Sequence, residues 1–107
     1  MTRELLPDRR AAESFEIEVK GISYTATFGY YDDGRLGEIF LCGPKAGTDV
    51  EVNARDAAVV TSIALQHGAS PDVLRHGLSR DEQGRALSPI GTVLDLLAAG
   101  KVAETDP

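Results

Sequence analysis

The sequence predicts an α+β domain: a three-stranded antiparallel β-meander followed by a long core helix and two shorter helices packed on one face of the sheet. Three observations carry this. Apolar residues alternate with period two from Phe15 to Tyr30, Asp32-Asp33-Gly34 is a strong turn signal, and apolar residues recur at helical spacing between Thr48 and Gly68.

The elements follow in chain order. Phe15, Ile17 and Val19 alternate with Glu16, Glu18 and Lys20, the pattern of a half-buried strand. Lys20-Gly21 supplies a tight turn. Ile22, Tyr24, Ala26, Phe28 and Tyr30 then alternate with small polar residues, and their aromatic and β-branched content supports a second strand. Gly34 tolerates the positive φ of the next turn, and Glu38 to Cys42 forms the third strand. One face of this sheet should be polar. Thr48 and Glu51 fit a capping box at the start of the main helix, and Gly68 after His67 is a stop. Within that helix Val50, Ala54, Ala57, Ala58, Thr61, Ala64 and Leu65 share one face. Val52, Val59, Val60 and Ile63 carry the apolar surface further round, which predicts burial on two sides. Ser70-Pro71 and Ser88-Pro89 each place a hydroxyl at a cap and a proline at the first helical position. The first opens a short helix to about Leu78 with Val73 and Leu74 inward; the second carries Ile90, Val93, Leu94 and Leu97 and closes at Gly100. Residues 1–13 read as a flexible N-terminal arm, 14–100 as a single domain and 101–107 as a frayed C-terminus.

Bulk properties narrow the function classes. A chain of 107 residues suits one core. Its net charge of −6 opposes a phosphate backbone, so nucleic acid is a disfavoured partner. The single cysteine, Cys42, excludes an internal disulfide and a multi-thiolate zinc site, and it fits a reducing cytoplasm. No segment has the apolar length of a membrane span, and the N-terminus lacks a signal-peptide core.

The corner Gly43-Pro44-Lys45-Ala46-Gly47-Thr48 invites comparison with a phosphate-binding loop. In a Walker loop the lysine follows the second glycine, whereas Lys45 precedes Gly47 and the glycines are too close together. Lys45, Gly47 and Thr48 therefore form at most a ligand-binding corner that borrows the positive end of the helix, where Asp49 and Glu51 already sit. The competing reading is a purely structural bend.

Other candidates have plainer explanations. Cys42 at a strand end has a nucleophile's position but no adjacent histidine, and packing explains it better. His67 suits the last turn of a helix and His76 an exposed helical face, and their separation matches no common metal pair. Asp32, Asp33, Glu38, Glu51 and Asp56 would make an acid–base pair only by converging; turn, solvent-face and cap roles account for them separately. Asn53, Arg55 and Asp56 form the polar side of the main helix, and Tyr30-Tyr31 closes a strand. No catalytic residue, metal site or cofactor is assigned from these patterns.

Residues 24–78 resemble the TSCPD domain, an accessory module found near the C-terminus of adenosylcobalamin-dependent ribonucleotide reductases and as small free-standing bacterial proteins. Gly37-Glu38-Ile39-Phe40, the Gly47 corner, and the run from Thr61 to Ser70 leading to Leu74 carry the likeness. Residues 87–97 match the tail of the free-standing forms. The Thr-Ser-Cys-Pro-Asp string that names the family is absent, as is the cysteine-rich tail of many reductase versions. The resemblance implies kinship with an enzyme's appendage, because the reductase reaction needs several thiols and this chain has one. The expectation is a non-catalytic interaction or regulatory module, cytoplasmic and homodimeric, with a possible protein partner. The alternative is a nucleotide- or phosphate-ligand-binding domain at Lys45–Thr48.

Overall fold

The computed structural model describes residues 2–100, so the C-terminus expected to fray lies outside the described residues. Strands β1 (Ala12–Val19), β2 (Ile22–Tyr30) and β3 (Leu36–Cys42) form an antiparallel sheet in the order β1-β2-β3, followed by helices α1 (Asp49–Gln66), α2 (Pro71–His76) and α3 (Pro89–Ala98). The α+β meander expected from the sequence is therefore the architecture.

Alternation decides which side of the sheet is covered. Opposite one another on the inner face stand Phe15 and Ala26, Ile17 and Tyr24, Ala26 and Leu41, and Phe28 and Ile39. Tyr24, Ala26, Phe28, Ile39 and Leu41 are almost wholly removed from water, and Ile90, Val93 and Leu94 of α3 complete the core over them. Phe15 meets Phe28 edge to face at 5.2 Å, the arrangement aromatic quadrupoles favour. The outer face carries Ser14, Glu16, Thr25 and Thr27, with Phe40 half exposed among them.

The hairpin between β1 and β2 turns on Lys20 (φ 52°) and Gly21 (φ 80°), two successive left-handed residues that match the twist of the flanking strands. A bulge between Gly29 and Tyr30 then shifts the register, so that Tyr30 faces Leu36.

Helix α1 does not lie across the middle of the sheet. It runs along the free edge of β3, where the register turns the backbone of Gly37 and Ile39 away from β2. The buried Ser62 hydroxyl accepts the Ile39 N–H at 2.8 Å and shares its own proton between the carbonyls of Ala58 (2.8 Å) and Ile39 (3.1 Å). One turn on, the Gln66 amide donates to the Gly37 carbonyl at 2.9 Å. A strand edge that would otherwise offer unpaired groups is thus closed by side chains of a helix. The helix ends in a Schellman motif: Gly68 (φ 101°) donates to Leu65 and Ala69 to Ala64, both at 3.0 Å.

Two-sided burial of α1 is not what the fold provides. Ala54, Ala58, Ser62, Leu65 and Gln66 face the sheet, while Val59 and Val60 on the far side are 48% and 67% exposed. The reason is topological, since no described element passes over that side. Val73, expected inward, is likewise exposed, because the short α2 turns only Leu74 toward the core.

The segment read as an N-terminal arm is held at several points. Strand β1 begins at Ala12, inside that segment, because Tyr30 N–H reaches the Ala11 carbonyl and extends the ladder. Upstream, Glu4 N–H donates to the Gln66 carbonyl at 2.7 Å, the Tyr31 hydroxyl donates to the Glu4 carbonyl at 2.5 Å, and Arg10 pairs with Glu38 at 2.5 Å. Two strand glycines make room for this segment and its partners. A Cβ on Gly37 would stand 2.7 Å from Leu6 and from the Tyr31 ring, and one on Gly29 would strike the Glu38 carboxylate.

Candidate functional site

The corner between β3 and α1 is built by the capping interactions of the helix. The Thr48 hydroxyl accepts the Glu51 N–H at 3.3 Å and donates to the Lys45 carbonyl at 3.1 Å. Glu51 returns the interaction one residue further back than a standard capping box, its carboxylate accepting the Gly47 N–H at 3.3 Å and the Arg55 guanidinium at 3.0 Å. Gly47 adopts φ 86°, which explains a glycine there. Its N–H, the group most suited to an incoming anion, is therefore already engaged by a buried carboxylate.

Lys45 and Thr48 nevertheless border a cleft of about 260 Å³. The rest of its lining is Ile22 and Tyr24 from β2, Gly43 and Pro44, and Val50 and Glu51 from the first turn of α1, and the surface it exposes is almost wholly apolar. Gly47 is not part of the lining. The contribution of β2 is not visible in the residue pattern, because that proximity comes from pairing: Cys42 faces Thr25, which brings the following Gly43 beside Tyr24.

The remaining candidates are dispersed. Cys42 is exposed on the outer face, since alternation turns Leu41 inward and its neighbour out; a packing role does not describe it. Three of the five carboxylates considered as an acid–base set are held by separate arginines: Glu38 by Arg10, Glu51 by Arg55 and Asp33 by Arg35. Asp33 is held below the ordinary carboxylate range chiefly by the Arg35 backbone N–H and then by its guanidinium. The Tyr30 phenol is pushed well above its usual range by burial and by its 2.6 Å hydrogen bond to Glu13. Tyr31 lies beneath the Arg35 guanidinium, 4.4 Å from the ring centre. His67 caps α1, and His76 is exposed with Nδ1 2.8 Å from the Asp72 carbonyl. Among the described residues no three His, Cys, Asp or Glu side chains group as a metal site, and no helix is long and apolar enough to cross a membrane.

A second feature is the outer side of α1. Val59, Val60 and Ile63 are exposed together in the second half of the helix, while Val52 two turns earlier is half-buried and the exposed Asp56 lies between it and them. Exposed aliphatic residues scattered singly need no explanation, whereas three gathered on one helical surface do.

Proteins similar to this chain include three vitamin B12-dependent ribonucleotide reductases. The chain is 39% identical over 70 residues to the vitamin B12-dependent ribonucleotide reductase of Bradyrhizobium diazoefficiens, a match covering 65% of this chain and 6% of the reductase. The enzyme of the same name from Rhodopirellula baltica is 32% identical over 72 residues (67% and 7%), and that of Agrobacterium fabrum 35% over 66 residues (62% and 5%). The chain thus corresponds to a small segment of these long enzymes, as an accessory-type module would. No family model matches it, and no solved structure does.

Proposed function

We propose that this chain is a TSCPD-type interaction module with no catalysis of its own, and that it associates with a second copy through the outer side of α1. Its relationship to a short segment of vitamin B12-dependent ribonucleotide reductases supports the accessory role, since a stretch amounting to 5–7% of such an enzyme is an appendage to a much larger body. The single cysteine supports separation from the reductase chemistry and a reducing cytoplasmic setting.

The observation that carries the reading is the exposed group Val59, Val60 and Ile63, continued by the half-buried Val52 beyond Asp56, apolar at helical spacing yet left open to solvent. The competing route to a dimer, pairing of the free β1 edge, is opposed by charge. That strand carries Glu13, Glu16 and Glu18, and a second copy would bring like carboxylates together. A standard interface buries ~800 Å² per partner, so a group of four side chains predicts weak, concentration-dependent association.

Sedimentation velocity over a micromolar-to-millimolar series tests this. The unaltered chain should shift toward dimer, and Val60→Glu or Ile63→Glu should weaken association at least about tenfold, because each buries an unpaired charge in the contact. Neither substitution should move the urea midpoint of the monomer by more than ~0.5 kcal/mol, since both sites are on the surface. A monomer at every concentration would refute the self-association.

A further inference from the structure

We infer that residues 3–7 are an exchangeable strap, and that the groove they occupy takes the same segment from a second copy of this chain, in a contact separate from the α1 surface. The groove reads one short extended stretch. Both backbone groups of Glu4 are held, its N–H by the Gln66 carbonyl and its carbonyl by the Tyr31 hydroxyl. Its carboxylate accepts two bonds of 3.0 Å from the Arg35 guanidinium, the fork geometry of a bidentate pair. Arg3 donates to the Gln66 side-chain oxygen, and Leu6 lies over Gly37 against the Tyr31 ring, where a Cβ has no room. A backbone clamp, a charge reader and an apolar slot together specify Arg-Glu-x-Leu, a pattern that every copy of the chain carries.

The attachment is of a kind that opens without unfolding the domain. Thr2 to Leu5, Asp8 and Arg9 are exposed, and the Glu4–Arg35 pair is more than half exposed on both sides, so water and salt weaken it. Among the described residues, 2–10 make one backbone–backbone hydrogen bond, that from Glu4. Beneath the strap Tyr31 and Gln66 are each 6% exposed, so its release uncovers an aromatic floor and favours reoccupation. Reoccupation by a second copy reproduces these contacts, and the exchanged form differs from the closed one at the hinge and in the entropy of association. The hinge is residues 7–9, closed by Arg10, which donates to the Pro7 carbonyl while pairing with Glu38. Tethering gives a strap an effective concentration near ~1 mM in its own groove, so exchange belongs to concentrated protein.

Complementary charge reversal in the full chain tests the inference. In ¹⁵N-labelled Arg35→Glu the groove repels its own Glu4, so the amides of Leu6, Gly37 and Gln66 should leave their closed positions while those of Val93 and Leu94 stay. Unlabelled Glu4→Arg chain supplies a strap whose charge fits the altered groove, and about half of the signal should return to the closed positions at ~1 mM of each. Unaltered chain in the same amount should restore less than about a tenth, because its strap carries the repelling charge. The reciprocal sample, with the label on Glu4→Arg, should behave alike. Association through α1 moves the amides of Val59, Val60 and Ile63 instead, so the two contacts fail separately. The inference is overturned if neither substitution displaces the strap, if the complementary mixture restores nothing, or if unaltered chain restores the signal equally.

Discussion

Ser62 shows how much one side chain can decide in this fold. Serine in the middle of a helix is no signal of packing, yet its hydroxyl satisfies both backbone groups of Ile39 on an otherwise open strand edge. Ser62→Ala leaves the buried Ile39 N–H without a partner, which costs about 1–3 kcal/mol. The urea midpoint should fall accordingly with an unchanged m-value; an unaltered midpoint would mean that water replaces the hydroxyl. Residue identity alone could not have indicated this. Ser62, like Tyr24 at the cleft, matters for what another strand brings beside it, and that is fixed by register. Gly37 depends on tertiary context in the same way, since its cause is the close approach of Leu6 and Tyr31.

Elements were legible where local chemistry determined them. The strand alternation, the hydroxyl caps at Thr48, Ser70 and Ser88 and the glycine stop after His67 all stand in the structure, because each is a short-range satisfaction of backbone groups. Burial of whole faces was less legible, since apolar periodicity specifies a face without naming what covers it. The two α1 faces look alike in sequence, and only one meets β3. Polar ties between elements were illegible for the same reason. Asp95 of α3 accepts from Arg80 at 2.7 Å and from Arg75 at 3.4 Å, joining α2 and the following loop to α3. Arg80 above all holds the Asp95 carboxyl below its ordinary range, against the opposing effect of burial. A carboxyl whose pKa is lower in the folded state stabilises the fold above its unfolded pKa, and this contribution fades as pH falls through the folded value. Asp95→Asn should therefore be less stable than the unaltered chain at neutral pH, and the two should converge in acid. Urea midpoints measured across that range would show it; a gap of constant size in strong acid would assign the loss to packing.

At the scale of the whole molecule, the sheet leaves its two edges unlike. That of β3 is sealed by α1 and that of β1 is acidic, and the helix that does the sealing keeps Val59, Val60 and Ile63 exposed on its outer side. A helix stapled by Ser62 and Gln66 on one side can present a rigid aliphatic surface on the other, which links the internal architecture to the proposed interaction role. The relatives fit this picture, since the corresponding segment in each is a small part of a much longer polypeptide. The most direct test is amide mapping of the full chain as it is concentrated from micromolar to millimolar. Association through α1 predicts shifts centred on Val52, Val59, Val60 and Ile63, with the amides of Ser14, Glu16 and Glu18 unchanged. Shifts concentrated in β1 instead, or none at all, would contradict it.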